Sequence, residues 1–156
     1  MKYGGKSLSG PRVSTVVIPR GEQELVFQAK AVLDNDAFDK LCPAPEPPML
    51  TKPGKAPVPN FDDKQYTEEY DVYSRKRYDW MILESLKATS DLEWETIQAA
   101  DSDTWNNWRA ELTSAGFSIV EIGKIIDTVH DACGLNQEKI EEATKRFLAG
   151  QATPKT

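Results

Sequence analysis

Phe117-Ser-Ile-Val-Glu-Ile-Gly-Lys-Ile-Ile-Asp-Thr-Val-His-Asp-Ala-Cys-Gly134 is the stretch whose reading decides the fold. Ser118 has the residue type of a helix N-cap, and Glu121 stands three positions on, which completes a capping box. Phe117 and Ile122 are spaced as a hydrophobic staple across that start. Ile119, Ile122, Ile126 and Val129 then recur at helical spacing with Ile125 beside them, so one face of the helix is apolar. Gly134 supplies the left-handed residue that ends such helices. Start signal, stripe and stop signal agree, and they predict an amphipathic helix that must bury one side.

The same grammar extends in both directions. Downstream, Asn136 caps a further helix, Leu135 and Ile140 form a second staple, and Ile140, Ala143 and Phe147 make its apolar face before Gly150. Upstream, Trp105, Trp108 and Leu112 fall at i, i+3 and i+7 behind the candidate caps Asp101 and Asp103, with Gly116 as the stop. Ser90-Asp-Leu-Glu93 has the form of a capping box and predicts a short helix carrying Leu92, Trp94 and Ile97. A long helix is expected from about Asp63 to Lys87, with Tyr66, Tyr70, Tyr73, Arg77, Trp80, Met81 and Leu83 at spacings of three or four for most of its length.

The N-terminal part reads differently. Met1 to Arg12 holds three glycines and a proline, a flexible lead. Val13 to Ile18 is β-branched and ends at Pro19, and Leu25, Phe27, Ala29, Ala31 and Leu33 alternate on one face. With Gly21 between them these runs predict a β-hairpin, which needs a neighbour because two strands alone are marginal in water. Asp34 to Leu41 predicts one helical turn presenting Phe38 and Leu41. Seven of the ten prolines then fall within 43–59, the signature of an extended, polyproline-like spacer or ligand strip. The expected organisation is an extended arm with a hairpin (1–42), a Pro-rich linker (43–61), an acidic helical domain (62–150) and a disordered tail (151–156). The expected class is mostly α, with four to five helices.

Charge narrows the function. The 156 residues carry a net −6. The first sixty are net +2 and the remainder net −8. An acidic helical part is unlike the basic face of a nucleic-acid binder, so nucleic acid is not expected as a partner. No charged and apolar leader opens the sequence and no apolar run reaches membrane-spanning length, so neither secretion nor a membrane is expected. Cys42 and Cys133 are far apart and form no CxxC, as in a chain with reduced thiols.

Candidate chemistry reduces to ordinary structure. Gly4-Gly-Lys-Ser7 echoes the end of a phosphate loop, but that loop needs a glycine five positions before Gly5 and a buried strand leading into it. His130 and Cys133 lie one helical turn apart, while zinc needs three or four protein ligands; Cys42 could be a third, but nothing in the sequence supports it. The acidic pairs Glu68/Glu69, Glu93/Glu95, Asp101/Asp103 and Glu141/Glu142 read as caps and solvated faces rather than an acid–base pair in a cleft. No catalytic residue, cofactor or metal is expected. Trp105 and Trp108 are read as core first, and as an interface anchor second. Ser74-Arg-Lys-Arg77 is the one basic cluster and reads as ion-paired or partner-facing. The residues chosen for protein binding are Phe27 and Phe38 in the arm and Trp105 and Trp108 in the helical domain.

Val16-Val-Ile-Pro-Arg20, Leu25-Val-Phe27, Phe38-Asp-Lys-Leu-Cys-Pro43 and Thr104-Trp-Asn-Asn-Trp-Arg-Ala-Glu-Leu-Thr-Ser-Ala-Gly-Phe-Ser118 follow one another in an order that resembles the tail assembly chaperones of tailed bacteriophages. The resemblance is one of layout and covers most of the chain. It implies a non-enzymatic protein in the host cytoplasm that keeps the tape measure protein soluble while tail subunits are recruited. Homo-oligomerisation stays open. The Pro-rich strip departs from the compact chaperone layout and would suit a minor virion component whose arm threads between subunits. A small host-directed adaptor is the third reading.

Overall fold

A computed structural model describes residues 1–151. The tail expected from 151 onward lies outside the described residues, save for Gln151, the last residue of the final helix. The order of elements is β1 (Lys2–Tyr3), β2 (Lys6–Ser7), β3 (Val13–Arg20), β4 (Gln23–Lys30), α1 (Asp36–Leu41), β5 (Met49–Leu50), β6 (Val58–Pro59), α2 (Lys64–Leu86), a 3-10 turn (Trp105–Asn107), α3 (Trp108–Ser114), α4 (Ile119–Ala132) and α5 (Gln137–Gln151). Helix accounts for 45% and strand for 16%, so the class is helical with a definite β contribution from small hairpins. No described helix is long and apolar enough to cross a membrane.

The chain divides into two compact units built from discontinuous segments. The first holds residues 1–33, 85–92 and 117 onward, and the second holds 34–84 and 93–116. The boundaries expected at 42 and 61 therefore both fall inside the second unit. The reason lies in what each segment buries: the hairpin finds its neighbour in α4, and Phe38 finds aromatic partners within the second unit.

In the first unit β3 and β4 pair antiparallel from Val13↔Lys30 to Arg20↔Gln23. Only Gly21 and Glu22 separate the strands, and Gly21 takes φ +61. A positive φ at the first central residue alone is the II′ geometry that matches strand twist and selects glycine there. One face of the hairpin carries Ile18, Phe27 and Ala29, all buried. Both strands pack against α4, whose Ile122, Ile125, Val129 and Ala132 are buried in turn. The capping box at Ser118 forms as the sequence requires: the Ser118 hydroxyl accepts from Glu121 N–H, and the Glu121 carboxylate accepts from Ser118 N–H at 2.7 Å. Ile119, expected on the buried stripe, is 84% exposed instead. The buried face is set by Ile122, Ile125 and Val129, one residue around from the stripe drawn through Ile119 and Ile126.

In the second unit an aromatic cluster shares the interior with the buried aliphatic residues Ile82, Leu83 and Leu112. The Phe38 ring lies 5.3 Å from Tyr73, 5.7 Å from Trp80 and 6.1 Å from Trp105, all tilted, in the spacing that aromatic pairs favour. The polar handles are satisfied: Trp108 Nε1 donates to Asp79 Oδ1 at 2.8 Å and Trp105 Nε1 donates to the Gln98 carbonyl at 3.1 Å. α2 starts where Asp63 Oδ1 accepts from Tyr66 N–H. Its first four turns are crowded with Lys, Glu, Asp and Arg and are fully buried nowhere before Trp80.

Two expectations change here. The helix expected from Ser90 does not form. Asp91 adopts φ +60, outside the helical region, and the following chain is held as a loop by Glu111. Its carboxylate accepts from the N–H groups of Glu95 and Thr96 and from the Thr96 hydroxyl, bonds that substitute for a helical ladder. The Pro-rich strip is not continuously extended either: Met49 and Leu50 pair with Pro59 and Val58, and Asn60 N–H reaches back to the Pro48 carbonyl.

Two predictions follow from these cores. Trp105→Ala and Trp108→Ala each remove a ring that is 1% exposed, and each lowers the unfolding free energy by about 3–5 kcal/mol. A urea midpoint unchanged from wild type in both variants contradicts that placement. The second concerns acid. The Glu121 carboxyl lies below its ordinary range through hydrogen bonding to Ser118, with Arg20 and Lys124 adding. Asp131 is lowered by Lys139 first and by Asn136. Burial pushes Glu111 up, but its bonds from Thr96 and Glu95 outweigh this and leave it lowered. Depressed folded-state values mean stability that is held above the unfolded carboxylate range of about 4 and lost as pH falls through the lower folded values. Thermal melts from pH 7 to pH 2 therefore drop on the acid side, and Glu121→Gln flattens part of that drop.

Candidate functional site

All four residues chosen from sequence for protein binding are interior. Phe27 is 5% exposed and meets Phe117 edge-to-face at 5.5 Å, while Phe38 and Trp105 are buried in the aromatic cluster and Trp108 is buried with its Nε1 on Asp79. In this structure none of them offers a face to a partner, and the two tryptophans stand where the core reading put them. The reason is size: the rings of Phe38, Trp105 and Trp108 are among the largest apolar side chains of their unit and share its interior with Ile82, Leu83 and Leu112.

The basic cluster is partly engaged within its own unit. Lys76 Nζ donates to Asp103 Oδ1 at 2.7 Å and to Ser102, and Arg75 Nε donates to the Asp71 carbonyl. Among the described residues no three His, Cys, Asp or Glu side chains converge as metal ligands.

The apolar surface that remains for a partner lies elsewhere, and α5 carries the clearest part of it. The corner before α5 is well made. Gly134 takes φ +73, and Leu135 N–H donates to the His130 carbonyl at 2.8 Å, as in a Schellman ending. Asn136 Oδ1 accepts from Lys139 N–H, Asn136 Nδ2 donates to Asp131, and Lys139 Nζ forms an ion pair with Asp131. These bonds fix the first turn. Beyond it every side chain from 137 to 150 is exposed. Ile140 and Phe147 (64% exposed), on the face predicted to be apolar, and Leu148 beside them are exposed. Ile119 and Val120 at the head of α4 and Leu135 at the corner are likewise exposed. The sequence located the α5 stripe through Ile140, Ala143 and Phe147, but periodicity cannot tell a covered stripe from a bare one. Leu148, which widens the face, was not singled out.

A second surface runs along α2. Phe61, Tyr66, Tyr70 and Tyr73 stack in series at 5.8–6.0 Å between ring centroids. Phe61 and Tyr70 are exposed, as are Met49, Leu50 and Val58 of the small β5–β6 pair in the same unit.

Comparison of the chain with protein families, with curated proteins and with solved structures finds no match.

A lone helix of this length is marginal in water, so α5 is expected to open readily in the isolated protein. Amides of residues 141–150 exchange with solvent at least about a hundredfold faster than those of 122–132, read by hydrogen–deuterium exchange. Equal protection in both helices would show that α5 is held by something other than its first turn.

Proposed function

We propose that this protein is a non-enzymatic, protein-binding factor of tailed-bacteriophage tail assembly that acts in the host cytoplasm by covering apolar helical stretches of tail proteins. The observation that carries the reading is α5, an amphipathic helix whose Ile140, Phe147 and Leu148 are exposed. An unpacked apolar helix face is a poor use of a soluble chain unless it is covered some of the time. A coiled-coil-rich client such as a tape measure protein exposes apolar stripes before assembly, and a helix-on-helix contact buries both. The layout of the sequence, which resembles the tail assembly chaperones, names the client class. The net −6 charge keeps a loaded complex in solution.

A second reading, a minor virion component, draws on a different observation: the exposed Met49, Leu50, Val58 and Phe61 around the Pro-rich strip, a surface suited to lying along neighbouring subunits.

Co-expression with the tape measure protein of the source phage tests the first reading. The wild-type chain raises the soluble fraction of that client and co-purifies with it. Phe147→Glu, which leaves the cores untouched, lowers the soluble yield at least about fivefold, in line with loss of a buried aromatic anchor. Full rescue by Phe147→Glu rules out α5 as the binding face. A fixed copy number in purified particles, measured by mass spectrometry, selects the virion reading instead.

A further inference from the structure

We infer that the first unit carries a second, separate interface: the free edge of β3, which pairs in antiparallel register with β3 of a second copy of this chain. The Arg12 carbonyl accepts from Ala31 N–H at 2.8 Å, and the register runs from Val13↔Lys30 to Arg20↔Gln23. In an antiparallel pair, residues alternate between bonding to the neighbour and facing away from it. The even-numbered residues of β3 therefore bond to β4. Val13, Thr15 and Val17 turn their N–H and C=O groups outward.

The two edges of the hairpin are treated differently. At the C-terminal half of β4 the outward groups are bonded within the unit: Gln28 N–H donates to Thr89 Oγ1 at 2.9 Å, the Gln28 carbonyl accepts from the same hydroxyl at 2.8 Å, and the Lys30 carbonyl accepts from Ser85 Oγ at 2.8 Å. On the β3 side, β4 is the strand's one ladder partner among the described residues. Val13 and Val17 are about half exposed and Thr15 is exposed. An open, β-branched edge strand of this length is a template for another strand unless it is guarded.

The guards in the sequence specify which strand fits. Pro19 lies on β3 at an outward position, where it lacks the N–H that a further pair would need. Pro11 lacks one too, and Pro11 and Pro19 stand four residues either side of Thr15. When Thr15 faces Thr15 of a second copy, Val13 faces Val17 of that copy and Val17 faces its Val13. Every outward N–H and C=O of these three residues then finds a partner. The next outward position at each end sets Pro11 against Pro19, so the ladder stops where donors run out. The exposed side chains form Val–Val and Thr–Thr pairs, both favourable across strands, and Arg12 and Arg20 do not fall opposite one another. Two copies so joined make a four-stranded sheet with a two-fold axis at Thr15, the isologous arrangement of most homodimers. An unrelated extended peptide could use the same donors, but only a copy of this strand brings prolines to both ends of the ladder.

The interface is separate from α5, so its failure and that of the client-binding reading can be told apart. The test is sedimentation equilibrium of the full chain across concentration. The wild type sediments as a monomer–dimer mixture. Thr15→Pro removes the central outward N–H while leaving the bonds to β4 intact, and it weakens dimerisation at least about tenfold with an unchanged circular dichroism spectrum. Thr15→Val dimerises like wild type. Under mild oxidation Thr15→Cys forms a covalent dimer, since facing residues in such pairs lie about 5.5 Å apart between Cα atoms, whereas Glu24→Cys does not. A wild-type chain still monomeric at about 1 mM, or a Thr15→Pro variant as dimeric as wild type, overturns the proposal. Should Thr15→Pro unfold, the Thr15→Cys and Glu24→Cys pair decides alone, and equal cross-linking of the two overturns it.

Discussion

The Glu121 carboxylate is the point on which the first unit turns. It accepts from Ser118 N–H and so closes the capping box that starts α4. Its other engagement is an ion pair at 3.3 Å with Arg20, the last residue of β3. The Arg20 guanidinium stands 4.6 Å over the Phe117 ring, and Phe117 meets Phe27 of β4. One carboxylate therefore ties a helix start to the end of a hairpin across a hundred positions of sequence. The ion pair is partly exposed and is worth little by itself. Its importance is directional: it aligns the apolar faces of hairpin and α4, and the burial of Ile18, Phe27, Ile122 and Val129 supplies the energy.

Legibility in the sequence followed the range of the interactions. Ser118, Glu121 and Gly134 fixed α4 to the residue because caps are contacts over three or four positions. The hairpin was legible for the same reason, through Gly21 and the alternation around Phe27. What failed was non-local. Ser90 and Glu93 have the letters of a capping box, but Glu111, supplied from α3, offers the Glu95 and Thr96 backbone a better arrangement. The Pro-rich strip folds back because Met49 and Leu50 meet Val58 and Pro59, a pairing that proline content alone does not announce. The boundaries at 42 and 61 rest on composition, a different criterion from the contacts that define the two compact units.

The candidate site shows the same limit from the other side. Large aromatic residues attract attention as binding anchors, yet Phe38, Trp105 and Trp108 are consumed by their own unit. The surface left over is less conspicuous: Ile140, Phe147 and Leu148 on α5, and Val13 and Val17 at a strand edge. Pro19, read from the sequence as the end of the first strand run, lies within β3, where a proline is confined to an edge.

The discontinuity of the first unit has a consequence for synthesis. The hairpin leaves the ribosome early, and its two-residue turn lets it form within microseconds. The helix that covers its inner face begins only at Ile119. At about 5–20 residues per second, roughly ninety intervening residues take on the order of 5–20 s to make. Through that interval Ile18, Phe27 and Ala29 face solvent on a nascent chain, beside the edge that the finished unit also leaves open. That face is then open to the hairpins of neighbouring chains on one polysome, and the prolines at 11 and 19 confine how far pairing at the adjacent edge can grow.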